Sequence, residues 1–302
     1  MRASTTDRTT LAAFAVAVVI AGLNFVAVRF SNRELPPFEG AALRFGAAAL
    51  LFFLYARARN IALPRGRALS GAVLFGLLGF SGAYAFLYWG LVNAPAGMGS
   101  VALALVPVAT PLLAAAHGLE RLRIRSVIGG AIAAIGIAVV LREQLAATVP
   151  LVSLAALIAG ALCAAESGVV IKYFPRSHPA ATNAAAMGAG TVALVLVSRF
   201  AGEAWIVPTH ATTLIASGYI VASTLVLFVL VLYILGRWTA SAASLQFPLS
   251  PLVTVIAASI LAGEGVTLAF VLGGVIVAAG VLIASGIAVP RRTAPTARPG
   301  IA

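Results

Sequence analysis

The 302-residue chain has one cysteine, three histidines and charged side chains at only 9% of its positions. Cys163 stands alone, which excludes a disulfide framework and a thiolate metal site. His117, His178 and His210 match no ligand spacing and fall near the ends of apolar runs, so neither a metal nor another cofactor is expected. So little charge, with 62% hydrophobic residues and a mean hydropathy of +1.07, excludes a water-soluble globular domain. Reactive constellations are lacking as well. No span holds the Ser/His pair or paired carboxylates of an intramembrane hydrolase. No Gly-x-x-x-x-Gly-Lys-Ser/Thr run cradles a nucleotide, and the connecting segments are too short for a receptor or soluble catalytic domain. An enzyme is therefore not expected.

What the chain has instead is long apolar runs. A transmembrane barrel would need polar residues at every second position, and stretches such as LAAFAVAVVIAG, residues 11–22, leave no room for them. The fold class is all-α integral membrane, and the 29 glycines and 15 prolines are in keeping with it. At about 20 residues per crossing, the runs predict ten transmembrane helices near 11–30, 37–56, 69–93, 98–117, 124–141, 150–172, 181–199, 211–235, 241–262 and 267–289. The first resembles a signal peptide; nine further runs and the lack of a clear cleavage site make it the first span.

With the N and C termini cytoplasmic, all of the 20 basic residues except Arg29, Arg33, Arg44, Arg142 and Arg199 fall on the inner side. The expected location is the inner, cytoplasmic membrane. The net charge of +12 is thus spread between spans as a topology signal, and no nucleic acid is expected as a partner.

A shift of 144 residues lays Ser100 on Ser244, Pro107 on Pro251, Glu120 on Glu264, Gly129 and Gly130 on Gly273 and Gly274, and Gly136 on Gly280. A shift of 143 lays Asn24 on Ser167, Arg29 on Lys172 and Pro36 on Pro179. The chain therefore divides into two five-span repeats, 1–145 and 146–302. Five is odd, so the second repeat enters the membrane inverted, an architecture that recurs in secondary transporters with the substrate site at the interface of the halves.

The stretch NAPAGMGSVALALVPVATPLLAAAHGLERL and its echo TASAASLQFPLSPLVTVIAASILAGEGV resemble the paired EamA domains of the drug/metabolite transporter superfamily, as do GLNFVAVRF and PPFEGAALRF near the start. The resemblance covers nearly the whole chain and implies a ten-helix exporter of small metabolites without ATP-binding domains. The aromatic spacing of the third span most resembles amino-acid exporters of the YddG type. One departure from the family pattern is His117-Gly118-Leu119-Glu120 where Leu-Gly-Glu is usual, which leaves no specific role for Gly118.

Ionisable groups cost roughly 2.5–3.5 kcal/mol each inside a span on insertion scales. Arg44 and Glu166 are the two that lie well inside one. Arg44, about 10 Å below the outer surface by helix rise, is a candidate for a substrate carboxylate; the alternative is snorkelling or binding backbone carbonyls. Glu166, about 10 Å above the inner surface, could bind a substrate ammonium or a coupling proton, or serve a structural hydrogen bond. Tyr84 and Tyr88, four apart, share a helical face and could stack on a solute or its amino group, or belong to an interfacial belt. Asn24 and Ser167, polar and mid-span, either join helices or line the pathway, as do Tyr219, Ser223 and Thr224. Gly76, Gly79 and Gly82 read as packing positions, and Glu120 and Glu264 as braces of their hairpins.

The segment SAASLQFPLSP, residues 241–251, is oddly polar for a span. Pro107 and Pro111 in the fourth span, and Pro248 and Pro251 in the ninth, predict kinked gating helices. Ser100, Ser244, Gln246 and Ser250 are candidates for substrate contact, with Gln246 breaking the symmetry of the halves. The expected function is export by alternating access of amino acids, aromatic ones and methionine included, or of related small metabolites. A drug, pigment or nucleobase exporter is the alternative, and an intramembrane enzyme or receptor the least supported. The partners are then the small-molecule substrate and the lipid bilayer, with one chain sufficient to enclose a pathway.

Overall fold

The computed structural model describes residues 8–103, 105–118, 124–146, 149–175, 177–235, 246–263 and 265–285. Among these, the regular elements are all helices. They are α1 Arg8–Ser31, α2 Pro37–Ala58, α3 Arg67–Gly76, α4 Ala83–Asn93, α5 Ala96–Leu103, α6 Val106–Ala116, α7 Ile124–Ala146, α8 Leu151–Val170, α9 Pro179–Phe200, α10 Ala211–Leu235, α11 Gln246–Ala262 and α12 Leu268–Ser285. Among the described residues, 7 helical stretches are long and apolar enough to cross a membrane; shorter apolar stretches lie in α7, α11 and α12, on the expected fifth, ninth and tenth spans.

The third and fourth expected spans are each described by two helices. Between α3 and α4 the third span passes through a π-helical turn, Leu77–Gly82, which adds backbone to one turn and offsets the face of α4 from that of α3. Glycines make room for it: a Cβ on Gly76 would collide with the carbonyl of Ala186 on α9, and one on Gly79 would lie 2.9 Å from Ser167 Oγ on α8. The packing role read from Gly76 and Gly79 is the role they have. In the fourth span α5 ends at Leu103 and α6 restarts at Val106, with Pro107 in its first turn, where a missing N–H costs nothing. Pro111 lies inside α6. Of the matching ninth-span prolines, Pro248 and Pro251 fall on α11, and their side chains lie outside the described residues.

The helices pair in a pattern that the sequence shift anticipates. α2 packs on α9 and α7 on α12; α1 packs on α10 and α11, while α8 packs on α4 and on α5 and α6. Exchanging each span for the one five places later maps every one of these pairings onto itself or onto another. The α7–α12 crossing shows it atom by atom. A Cβ on Gly136 would stand 2.6 Å from Val277 N and 2.7 Å from Gly273 O, and one on Gly280 would stand 2.5 Å from Ala133 N and 2.6 Å from Gly129 O. Only glycine lets the two backbones approach this closely.

At the end where α1 meets α2, two hairpins cap one another. Glu34, between α1 and α2, accepts the Thr209 and His210 N–H groups just before α10, at 2.7 and 3.2 Å, and the Thr209 hydroxyl. In return Glu203, between α9 and α10, accepts the Phe38 and Glu39 N–H groups in the first turn of α2 at 3.1 and 3.0 Å, and the Ser198 hydroxyl. Carboxylates at helix N-termini satisfy orphan donors and complement the helix dipole. Glu39 adds a contact from the Ile206 N–H at 3.3 Å. Arg29 and Asn32 fasten the same end to the end of α4 through the carbonyls of Leu91, Val92 and Tyr88.

Candidate functional site

A cavity of about 220 Å³ lies between helices of both halves. α1 supplies Asn24 and Phe25, α2 Arg44, α4 Tyr84 and Leu87, α5 Leu103, α10 Leu227, Phe228 and Val231, and α11 Ser250. Its wall is mostly apolar, with a few polar groups converging on it, as small-molecule sites are commonly built. Phe45 packs edge-on to Tyr84 at 4.6 Å between centroids, and Phe80 joins Phe45 at 5.1 Å and Phe228 at 5.6 Å, so the aromatic wall is held from behind.

Arg44 is 3% exposed and points into this site from α2. Its Nε donates to Thr224 Oγ1 on α10 at 2.7 Å, and the Thr224 hydroxyl donates to the Ile220 carbonyl of its own helix. The guanidinium stands over the Tyr84 ring at 5.0 Å and the Phe45 ring at 5.2 Å. The cation over Tyr84 is therefore Arg44 itself, where the sequence suggested a solute's amino group. Tyr88 is fully buried and is not part of the cavity wall. Among the described residues no carboxylate pairs with Arg44.

Four sequence candidates thus meet at the cavity: Asn24, Arg44, Tyr84 and Ser250. Asn24 Oδ1 also accepts the Ser223 hydroxyl at 2.7 Å, joining α1 to α10. Beside it Thr254 donates to the Gly22 carbonyl at 3.0 Å, where Gly22 lets α11 lie against α1. Tyr88 lies behind Arg44. Ser100 and Ser167 are placed elsewhere: each is buried and donates at 2.7 Å to a carbonyl of its own helix, Gly97 and Ala164 respectively. Ser244 and the side chain of Gln246 lie outside the described residues, as do Glu120 and Glu264.

Glu166 lies near the opposite end of the protein. α8 runs against α3 and α4, with Ser153 beside Gly90, Gly160 beside Ala83 and Ser167 beside Gly79. Glu166 is thereby far from the Arg29 and Asn32 contacts and forms a 2.8 Å pair with His117 Nε2 at the end of α6. Tyr173 donates to the His117 carbonyl at 2.8 Å and packs its ring 6.0 Å from the imidazole. Two participants escaped the sequence reading. Thr224 appeared only as one of several polar residues in the eighth span, and its place opposite Arg44 depends on a contact 180 residues apart. His117 read only as a histidine near the end of an apolar run, and it is the exposed partner of Glu166.

A family model described as the EamA-like transporter family matches residues 8–142 and 151–286. Over 130 residues the chain is 35% identical to an uncharacterized transporter of Archaeoglobus fulgidus, covering 42% of this chain and 45% of that protein. Over 97 residues it is 35% identical to a probable terminal-alkyne amino-acid exporter of Streptantibioticus cattleyicolor, covering 32% and 33%. The uncharacterized transporter YyaM of Bacillus subtilis is 28% identical over 193 residues, 61% of this chain and 63% of that one. The chain thus spans less than two thirds of the length of each of these curated relatives. A crystal structure shares the fold, with a TM-score of 0.67 at 18% identity, covering 95% of this chain and 100% of that one.

Proposed function

The chain belongs to the EamA-like transporter family, and from that premise we propose that it is a secondary exporter of amino acids or related small metabolites in the inner membrane. The proposed topology is ten spans in two inverted five-helix repeats, 1–145 and 146–302, with both termini cytoplasmic, acting as one chain. The exchange of helix pairings between the halves supports the repeat, and the surplus of arginine and lysine between alternate spans supports the orientation.

The observation that carries the reading is the cavity, lined from both halves and furnished with one cation, an amide and hydroxyls in an otherwise apolar wall. A site between two halves that rock against each other opens alternately to either side, the geometry alternating access requires. At about 220 Å³ the cavity is smaller than the roughly 300–1,000 Å³ of drug-sized sites. That supports an amino-acid-sized solute over a drug. Glu166, partnered by His117 away from the cavity, is in this reading no ligand for a substrate ammonium. The test is counterflow: purified protein in liposomes preloaded with phenylalanine, methionine or another amino acid takes up the labelled form. No uptake above empty liposomes for any amino acid or related metabolite would refute this function.

A further inference from the structure

The cavity's charge is one-sided. Among the described residues Arg44 is its one charged lining group, and no carboxylate faces a solute's amino group. We propose that the solute group recognised here is a carboxylate, docked on Arg44, and that an amino group on the solute is dispensable. The inference rests on the transporter reading and narrows its substrate class to small monocarboxylates with an apolar body, amino acids being one kind of them.

Two independent observations converge on it. Arg44 is 3% exposed and lines the cavity, with its Nε held by Thr224 Oγ1 at 2.7 Å. A planar guanidinium fork presented this way matches the two oxygens of a carboxylate. Finally, the remaining wall offers a body-sized apolar surface in Phe25, Leu87, Leu103, Leu227 and Phe228, with Asn24 and Ser250 as neutral polar groups. The ring of Tyr84, which could have received an ammonium, already faces Arg44. Glu166 is spoken for by His117 at the far end.

The test uses the full chain in nanodiscs and compares probes that differ only at their polar ends: 3-phenylpropionate, phenylalanine, phenethylamine and 3-phenylpropanamide, with butyrate to octanoate and their amides as a second series. Thermal unfolding midpoints read binding directly. The acids raise the midpoint, 3-phenylpropionate at least as much as phenylalanine, while the amine and amides do not. Arg44→Gln weakens the acids at least tenfold, and Arg44→Lys weakens them less. Amides or amine binding as well as the acids, or no acid binding in either series, would overturn the proposal on the wild-type protein alone, whatever the variants do. Counterflow separates the two readings. Transport indifferent to the carboxylate keeps the exporter and removes this inference; carboxylate-specific stabilisation without transport of any probe does the reverse.

Discussion

Arg44 and Glu166 both sit in helices that should cross the bilayer, but the protein answers their charges in opposite ways. Arg44 is buried among a threonine, tyrosines and phenylalanines, and no negative charge meets it among the described residues. Glu166, with its side chain 24% exposed, has an imidazole 2.8 Å away. One charge is held in readiness and the other is already answered. A buried charge without a counter-charge lowers stability, so its retention marks a site where something else supplies the missing charge. A partly exposed carboxylate with an imidazole on Oε1 needs no such explanation, although its Oε2 is buried without a hydrogen-bond partner.

The comparison can be broken most decisively at Arg44. Arg44→Met is expected to lose at least tenfold in carboxylate counterflow while gaining about 1 kcal/mol or more in stability, because an unanswered charge is replaced by an apolar side chain of similar length. Counterflow and a denaturation curve on the same preparation check both; a variant that transports normally would show that the charge is structural. Next in size is Thr224→Val, which removes the acceptor that orients the guanidinium and leaves the charge in place. Its apparent carboxylate affinity should fall by roughly threefold to tenfold, the worth of an ordinary hydrogen bond, as read by competition with a labelled acid.

Glu166→Gln should change solute affinity less than about twofold and stability by about 1 kcal/mol or less, the usual scale of a partly exposed pair. The double variant His117→Gln/Glu166→Gln should be no less stable than the worse single variant, since the two residues share one interaction. A tenfold affinity loss in Glu166→Gln would collapse the contrast with Arg44. The smallest effect concerns Glu34, a carboxylate whose partners Thr209 and His210 lie in an exposed loop. The Thr209 N–H is the main influence drawing its carboxyl down from 4.5 to about 2, with the Thr209 hydroxyl and the His210 N–H adding to it against a desolvation that raises it. Because the folded value lies below the unfolded one, the stabilisation is complete above about pH 4.5 and drains away as pH falls toward 2. Melting curves at pH 6 and pH 3 should therefore differ less in Glu34→Gln than in the wild type.

Much of the architecture was legible because the bilayer imposes it. The run lengths locate the helices, and the repeat offset that lays Gly136 on Gly280 also identifies the residues at which α7 and α12 cross. Arg44, Asn24 and Ser250 were found as polar residues in apolar surroundings, and the cavity gathers them. Ser100 and Ser167 carry the same signal and mean something different, for each bonds to a carbonyl three residues back in its own helix. A sequence gives no sign of which way a serine resolves that choice. Nor does it disclose the partners of charges: Thr224 and His117 are ordinary residues until the packing brings α10 to α2 and α6 to α8. The π turn in the third span, too, follows a close approach of Gly76 to Ala186 that the sequence does not disclose.

The crossed caps of Glu34 and Glu203 have a consequence for motion. Each carboxylate holds backbone N–H groups of the other hairpin, so neither loop can lift away while its neighbour stays satisfied. Parting them strips the start of α2 and the start of α10 of their acceptors together, and water must take over at both helix starts at the same time. Opening at this end of the molecule is in that sense a wetting step, with the two loops hydrating as one unit.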